Sequence, residues 1–257
     1  MYTFINRGNR INTEIGTDEQ PELIRWTTWN EGGQDIQQSF ALKSSEGVVW
    51  VDPVRPKNEE ALRILDKLTD GKSIAVVCTT PLHERNIYWF REKYGASIFI
   101  PKNRSSEFNG TPDSLFEDGD ILPGEVKALW IGERQKGEMV LHWRSPEDAQ
   151  VLICGDAIYG QSRPGAFDGG PEDFWHQVGG IRLFSGGHIE ESQMRRQYEC
   201  LLDLEFDSIL NGHNPNPIDQ DPKGALLKVL QEGTYEIRGC TYLWLDLLKG
   251  QEDASMS

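Results

Sequence analysis

Between residues 47 and 101 the chain alternates apolar runs with amphipathic ones: GVVWVDP, EEALRILDKL, SIAVVC, IYWFREKYG and ASIFIP. The first, third and fifth are short and almost wholly apolar, as buried strands are. In the second, Leu62, Ile64, Leu65 and Leu68 recur at near-helical spacing, with Asn58 placed to cap the helix start. The fourth ends at Gly95, a natural helix terminator. Strand–helix–strand–helix–strand is the strongest constraint in the sequence. Parallel strands need crossover connections, and the helices that supply them must cover a sheet face.

The flanks extend this frame. RWTTWN (25–30) and QQSFALK (37–43) read as strands split by the turn-forming EGGQD, while the polar residues 1–24 read as a loose lead-in. Farther on, VKALWIG, GEMVLHWR and AQVLICGDA alternate around short turns, as an antiparallel meander does. Residues 161–187, rich in Gly, Pro and aromatics, contain His176 and are followed by His188; they form a candidate lid or pocket wall. IEESQMRRQYECLLDL (189–204) is an amphipathic helix, FDSILNGHNPNP (206–217) a short strand running into a loop, and GALLKVLQEG the start of a terminal helix. With no linker and no repeat, residues 1–257 read as one domain.

Charge and cysteine usage narrow the function. The 26 basic and 41 acidic residues give a net charge of −15, a field that repels nucleic acid and anionic membranes. The four cysteines, at 78, 154, 200 and 240, form no C-x-x-C pair, which argues against a disulfide scaffold or a structural zinc knuckle. Cys78 and Cys154 end apolar strands and read as small buried residues. The N-terminus has no long apolar core, and no apolar stretch approaches the ~20 residues of a membrane helix. A cytoplasmic protein acting on a small molecule is the expectation. Oligomeric state has no signature, although YLWLDLL (242–248) suits packing on the domain or on a partner.

Three polar loops directly follow apolar strands: TTPLHERN (79–86), GDA (155–157) and NGHNPNP (211–217). In open α/β sheets ligands gather beyond the carboxyl ends of strands, so His83, Glu84, Arg85, Asp156 and His213 are candidates to share one rim. In order and spacing these blocks resemble the metallo-β-lactamase fold superfamily over roughly residues 25–235. GVVWVDP resembles that family's strand ending in an aspartate, and TTPLHERN sits where the family carries T-H-x-H-x-D-H. ICGDAIYG resembles its bridging-aspartate strand, and ILNGHNPNP its closing Gly-His-Gly loop. The resemblance implies an αβ/βα sandwich of two mixed sheets with helices outside. It also implies a one- or two-metal site at one edge that hydrolyses an ester, amide, thioester or phosphoester.

Residue by residue, the chain departs from that pattern. Thr79 matches, but Thr80 and Leu82 stand where two histidines belong, Glu84 where the aspartate belongs, and Arg85 where the third histidine belongs. His83 falls on a spacer, which suggests a partly exposed residue at a helix start. The next ligand turn, WIGERQKGE (130–138), offers Glu133 or Arg134 and no histidine, and Asn214 replaces the glycine after the last histidine. Leucine has no donor atom and threonine is a poor ligand, whereas a catalytic zinc wants about three N, S or carboxylate ligands. Two metals in the usual places are therefore not expected. Arg85 reads as a fixed cation replacing a metal among Glu84, Asp156 and Glu133.

Only Asp156 and His213 match the family's ligands. They read either as remnants bonded to each other or, with His83 and Glu84, as a single-metal site of altered geometry. The cofactor expectation is accordingly none, or one divalent ion: zinc, iron or manganese. The functional expectation is a hydrolase-like protein with a degenerate metal site and a small-molecule pocket beside Asp156 and His213. The alternative is a non-catalytic binding protein on the same scaffold.

Overall fold

A computed structural model describes residues 2–6, 9–16, 21–30, 35–69, 72–132, 138–160, 181–183, 191–213 and 217–232. The first sheet contains eight strands in sequence order: β1 (Tyr2–Asn6), β2 (Asn9–Gly16), β3 (Pro21–Asn30), β4 (Asp35–Lys43), β5 (Val48–Val51), β6 (Ser73–Val77), β7 (Ser97–Pro101) and β8 (Ser114–Phe116). Pairing is antiparallel through β5 and parallel from β5 to β8. The switch falls where the crossover helices α1 (Glu59–Thr69) and α2 (Ile87–Tyr94) enter the chain. Asn58 caps α1, its Oδ1 accepting the Glu60 N–H at 2.7 Å, and Gly95 ends α2 at φ 71°.

The second sheet has the order β15-β12-β11-β10-β9. Its strands are β9 (Ile121–Leu122), β10 (Val126–Ile131), β11 (Glu138–Arg144), β12 (Gln150–Ile153) and β15 (Ser208–Leu210). The expected meander is its antiparallel part, and β15 joins β12 in parallel. A separate hairpin pairs β13 (Ile158–Gly160) with β14 (Ile181–Leu183). Helices α3 (Glu191–Glu199) and α4 (Pro222–Glu232) complete the described elements.

The period-2 pattern of the strands assembles these parts into four layers. In β5, Val48 and Trp50 face α1 and α2, where they pack with Leu65, Ile87 and Phe90. Val49 and Val51 face the second sheet and meet Val126, Leu141, Trp143 and Ile153. The second sheet's far face, with Val140, Leu152 and Ile209, packs on Tyr198 of α3 and on Leu226 and Leu230 of α4. Helices, sheet, sheet and helices are the αβ/βα sandwich. Aromatics lock the first layer, with Trp50 lying 6.0 Å from Trp26, 5.1 Å from Phe90 and 5.0 Å from Tyr94 between ring centroids. The two indole N–H groups donate to Val54 O and Ser73 Oγ, so neither buried ring leaves a polar atom unsatisfied.

The lead-in expected over residues 1–24 is instead sheet: β1, β2 and the first residues of β3 form a meander. Ile11, Thr13 and Ile15 alternate with Arg10, Asn12 and Glu14, a strand pattern with too few apolar residues to stand out by composition. The stretches 161–180 and 184–190, which include His176 and His188, lie outside the described residues, as do Glu133, Arg134, Asn214 and 242–248. Among the described residues no helix is long and apolar enough to cross a membrane.

Candidate metal centre

Four strand ends converge at one edge of the sandwich. Asp52 follows β5, Thr79 to His83 follow β6, Gly155 and Asp156 follow β12, and Asn211 to His213 follow β15. The main chain laces them together. The Cys154 N–H donates to Leu210 O at 2.8 Å, Gly212 N–H to Gly155 O at 2.7 Å, and Gln38 N–H to Gly212 O at 2.7 Å. Two glycines make the close approach. Gly155 has φ 45°, and a Cβ there would sit 2.4 Å from Thr79 Oγ1. A Cβ at Gly212 would sit 2.8 Å from His83 Cε1 and 3.0 Å from Gly155 O.

At the centre, His83 Nε2 and His213 Nε2 each lie 3.1 Å from the same oxygen, Asp156 Oδ1. The other nitrogen of each ring is anchored. His83 Nδ1 is 2.8 Å from the buried Asp52 Oδ2, and His213 Nδ1 is 2.7 Å from Ile36 O. A carboxylate and a carbonyl only accept, so each Nδ1 carries its hydrogen and each neutral ring turns an Nε2 lone pair inward. Asp52 is itself fixed by Thr79, whose N–H donates at 2.8 Å and whose hydroxyl donates at 2.6 Å.

Two lone pairs facing one carboxylate oxygen repel one another unless a cation or a proton lies between them. His83 Nε2 and Asp156 Oδ1 are buried and 3.1 Å apart, yet neither is aligned to make a hydrogen bond. Among the described residues, one ligand atom each from His83, Asp156 and His213 lies within 4.8 Å of the others. Two imidazoles and a carboxylate, with outer partners that fix both rings, suit a divalent zinc or iron ion. The donor set fits. The electrostatics agree with it. Burial alone would raise the Asp156 carboxyl, but the facing histidines hold it well below the usual range. For His83, burial and the Arg85 charge push down, and the Asp156 and Asp52 carboxylates outweigh them, leaving the imidazole above its ordinary value.

No protein-family model and no curated protein matches the sequence. Solved structures do match the fold. The DIM-1 metallo-β-lactamase aligns over 88% of this chain and 99% of its own, with TM-score 0.59 and 12% identity. A metallo-β-lactamase from Pontibacter korlensis aligns over 85% and 97%, with TM-score 0.57 and 15% identity. A flavo di-iron protein from Thermotoga maritima aligns over 87% of this chain and 61% of its own, with TM-score 0.57 and 14% identity. The chain has the metallo-β-lactamase fold.

Within that fold, three expected site residues meet and two do not. Asp156 and His213 face each other as expected. His83 is not the partly exposed spacer that the motif suggested, since only 1% of it is accessible. The reason is local. Pro81–His83 is a 3-10 turn with Pro81 at its first position, and residues three apart eclipse in such a turn. Thr80 and His83 therefore share the inward face, and Leu82, 62% exposed, turns out to solvent.

Glu84 is not in the cluster. Its carboxylate accepts from Asn109 N–H, Asn109 Nδ2, Gly110 N–H and the Tyr88 hydroxyl at 2.8–3.0 Å. These bonds outweigh the burial that opposes them and hold its carboxyl below the usual range. Arg85 does not join Glu84 as expected, because a φ of 29° at Arg85 separates the two side chains. The Arg85 guanidinium donates to Gln38 O at 3.2 Å and reaches Asp52 O at 3.5 Å.

The motif reading missed two buried acids. Asp52, noted only as a strand end, anchors His83. Glu138, which opens the otherwise apolar strand EMVLHW, is 2% exposed. Burial and the nearby Asp156 charge push its carboxyl up to about 8, against the pull of Arg104 and His83. An acid at the mouth of an apolar strand was the available signal for Glu138. Cys78 and Cys154 are fully buried as expected, and burial raises both thiols.

Proposed function

We propose that this protein is a hydrolase using one divalent metal ion held by His83, Asp156 and His213. The observation that carries this reading is the inward convergence of two Nδ1-anchored imidazoles on Asp156 Oδ1. When bound, the ion supplies Lewis acidity: it polarises a substrate oxygen and makes a coordinated water acidic near neutrality. The chain's own residues do the rest. Asp52 and Ile36 O fix the tautomers and ring planes of the two histidines. Asp156 contributes the negative charge. Thr79 and Gly155 hold Asp52 and Asp156 in register across the two sheets.

The site lies at the sandwich edge, where Leu82, next to His83, is exposed to solvent. The structural neighbours include metallo-β-lactamases and a flavo di-iron protein. Zinc and iron are accordingly the first ions to test.

The test uses the full chain, stripped with a chelator and reloaded separately with zinc, iron(II) and manganese. Turnover is measured on a β-lactam, a p-nitrophenyl ester, a thioester and a phosphodiester. The expected result is metal-dependent hydrolysis of at least one of these, lowered at least about 100-fold in His213→Ala. Metal uptake with no turnover on any of them, together with unchanged behaviour of His213→Ala, contradicts the hydrolase reading and favours a binding protein.

A further inference from the structure

Three buried carboxylates line this edge: Asp52, Asp156 and Glu138. Asp52 has Thr79 and His83 as donors. Asp156 Oδ1 faces the two histidine Nε2 atoms at 3.1 Å and, in the reading above, a metal ion. Glu138 has a different partner. Arg104, on the 3-10 segment Lys102–Glu107, places Nη1 2.8 Å from Glu138 Oε1 and 3.3 Å from Thr80 Oγ1. Its outer edge donates bidentately to Glu107, with Nε–Oε1 and Nη2–Oε2 both 2.9 Å. The Arg104 side chain is only 13% exposed and that of Glu138 2%, so this cation is seated in the wall of the site. Thr80 stands where the resemblance placed a histidine, and Glu138 is the last residue of the 130–138 stretch in which a further ligand was expected.

We propose that Arg104 is a built-in second cation of this centre: it holds Glu138 in the wall and keeps a second metal ion out, so the site takes a single ion. The inference rests on the metal reading above. A guanidinium is protonated at every accessible pH and binds no metal. Arg104 is the cation paired with the Glu138 carboxylate, and breaking a buried ion pair by removing one partner leaves the other without its compensating charge. Arg104 satisfies Oε1 only. Glu138 Oε2 is buried and makes no hydrogen bond among the described residues. Arg104 itself ties the 3-10 segment to Glu138 and Thr80, and just after the segment Asn109 and Gly110 bond to Glu84.

The experiment is a cobalt(II) titration of the chelator-stripped full chain, read by visible absorption and by elemental analysis after desalting. It covers wild type, Arg104→Lys, Arg104→Met and the double variant Arg104→Met/Glu138→Gln. Wild type and Arg104→Lys are expected to bind one equivalent. Arg104→Met is expected to bind a second, weaker equivalent at the Glu138 carboxylate left without its cation. The double variant, which removes both charges, returns to one. Two equivalents in wild type overturn the inference while leaving a metal centre in place. A single equivalent with an unchanged spectrum in Arg104→Met also overturns it. No uptake in wild type overturns the metal reading, and this inference with it. If Arg104→Met fails to fold, Arg104→Gln takes its place, with a second equivalent expected and a single equivalent overturning the inference.

Discussion

Replacing Asp156 with asparagine is expected to abolish metal-dependent stabilisation. An ion present at 100 times its Kd stabilises the folded state by about 2.7 kcal/mol, which for a chain of this size is a rise of roughly 5–10 °C in Tm. Wild type should show that rise and Asp156→Asn none, because the variant loses the only carboxylate in the ligand set. The metal-free protein carries a pH signature of the same group. His83 is raised above its ordinary 6.5, so its contribution to stability is complete below 6.5 and is lost as pH rises through the raised value. Asp156 is lowered below its ordinary 3.8, so its contribution is present above 3.8 and is lost as pH falls through the lowered value. The metal-free protein should therefore be most stable on the acid side of neutrality. Added metal should help most above it, where it replaces the proton lost from His83. Thermal melts from about pH 5 to about pH 9, with and without zinc, test both arms. A metal-free Tm that climbs steadily from neutrality to pH 9 contradicts the assignment of the His83 pair.

The second large effect is expected at Asp52. Its carboxylate is fully buried and receives the Thr79 N–H, the Thr79 hydroxyl and His83 Nδ1. Asp52→Ala strands these donors in the interior and should cost about 3–5 kcal/mol in chemical denaturation. Asp52→Asn preserves shape but presents an amide that cannot accept from all three donors, so it should retain the fold and weaken metal binding about 10–100-fold through loss of the His83 tautomer. Equal metal affinity in Asp52→Asn and wild type would show that His83 is not oriented by this contact.

The fold was legible because its signals are local and repeated. Each strand of the 47–101 block is an apolar run, each crossover an amphipathic one, and Asn58 and Gly95 bound their helices as capping chemistry requires. Asp156 and His213 were legible because a carboxylate and a histidine directly follow apolar strands. The burial of His83, already a candidate ligand, was missed because the motif assumes one residue-by-residue path, and the 3-10 turn begun by Pro81 brings the third residue, not the second, back to the inner face. Arg85 and Glu84 looked like site residues for the converse reason: sequence neighbours need not share a direction once φ turns positive. Arg104 sits in a polar stretch, KNRSSE, with nothing in its spacing to mark it. Its role comes from tertiary contact with Glu138, 34 positions away. The β1–β2 meander was hidden by sparse apolar content, its strand character carried by pairing with β3.

X-ray absorption at the metal edge, on the 257-residue chain loaded with zinc and desalted, tests the central claim most directly. One ion per chain with two imidazole nitrogens at about 2.0–2.1 Å and carboxylate oxygen at about 2.0–2.2 Å is the predicted result, reduced to one imidazole in His83→Ala. A protein that retains no metal, or an ion whose shell keeps both imidazoles after His83 is removed, contradicts it.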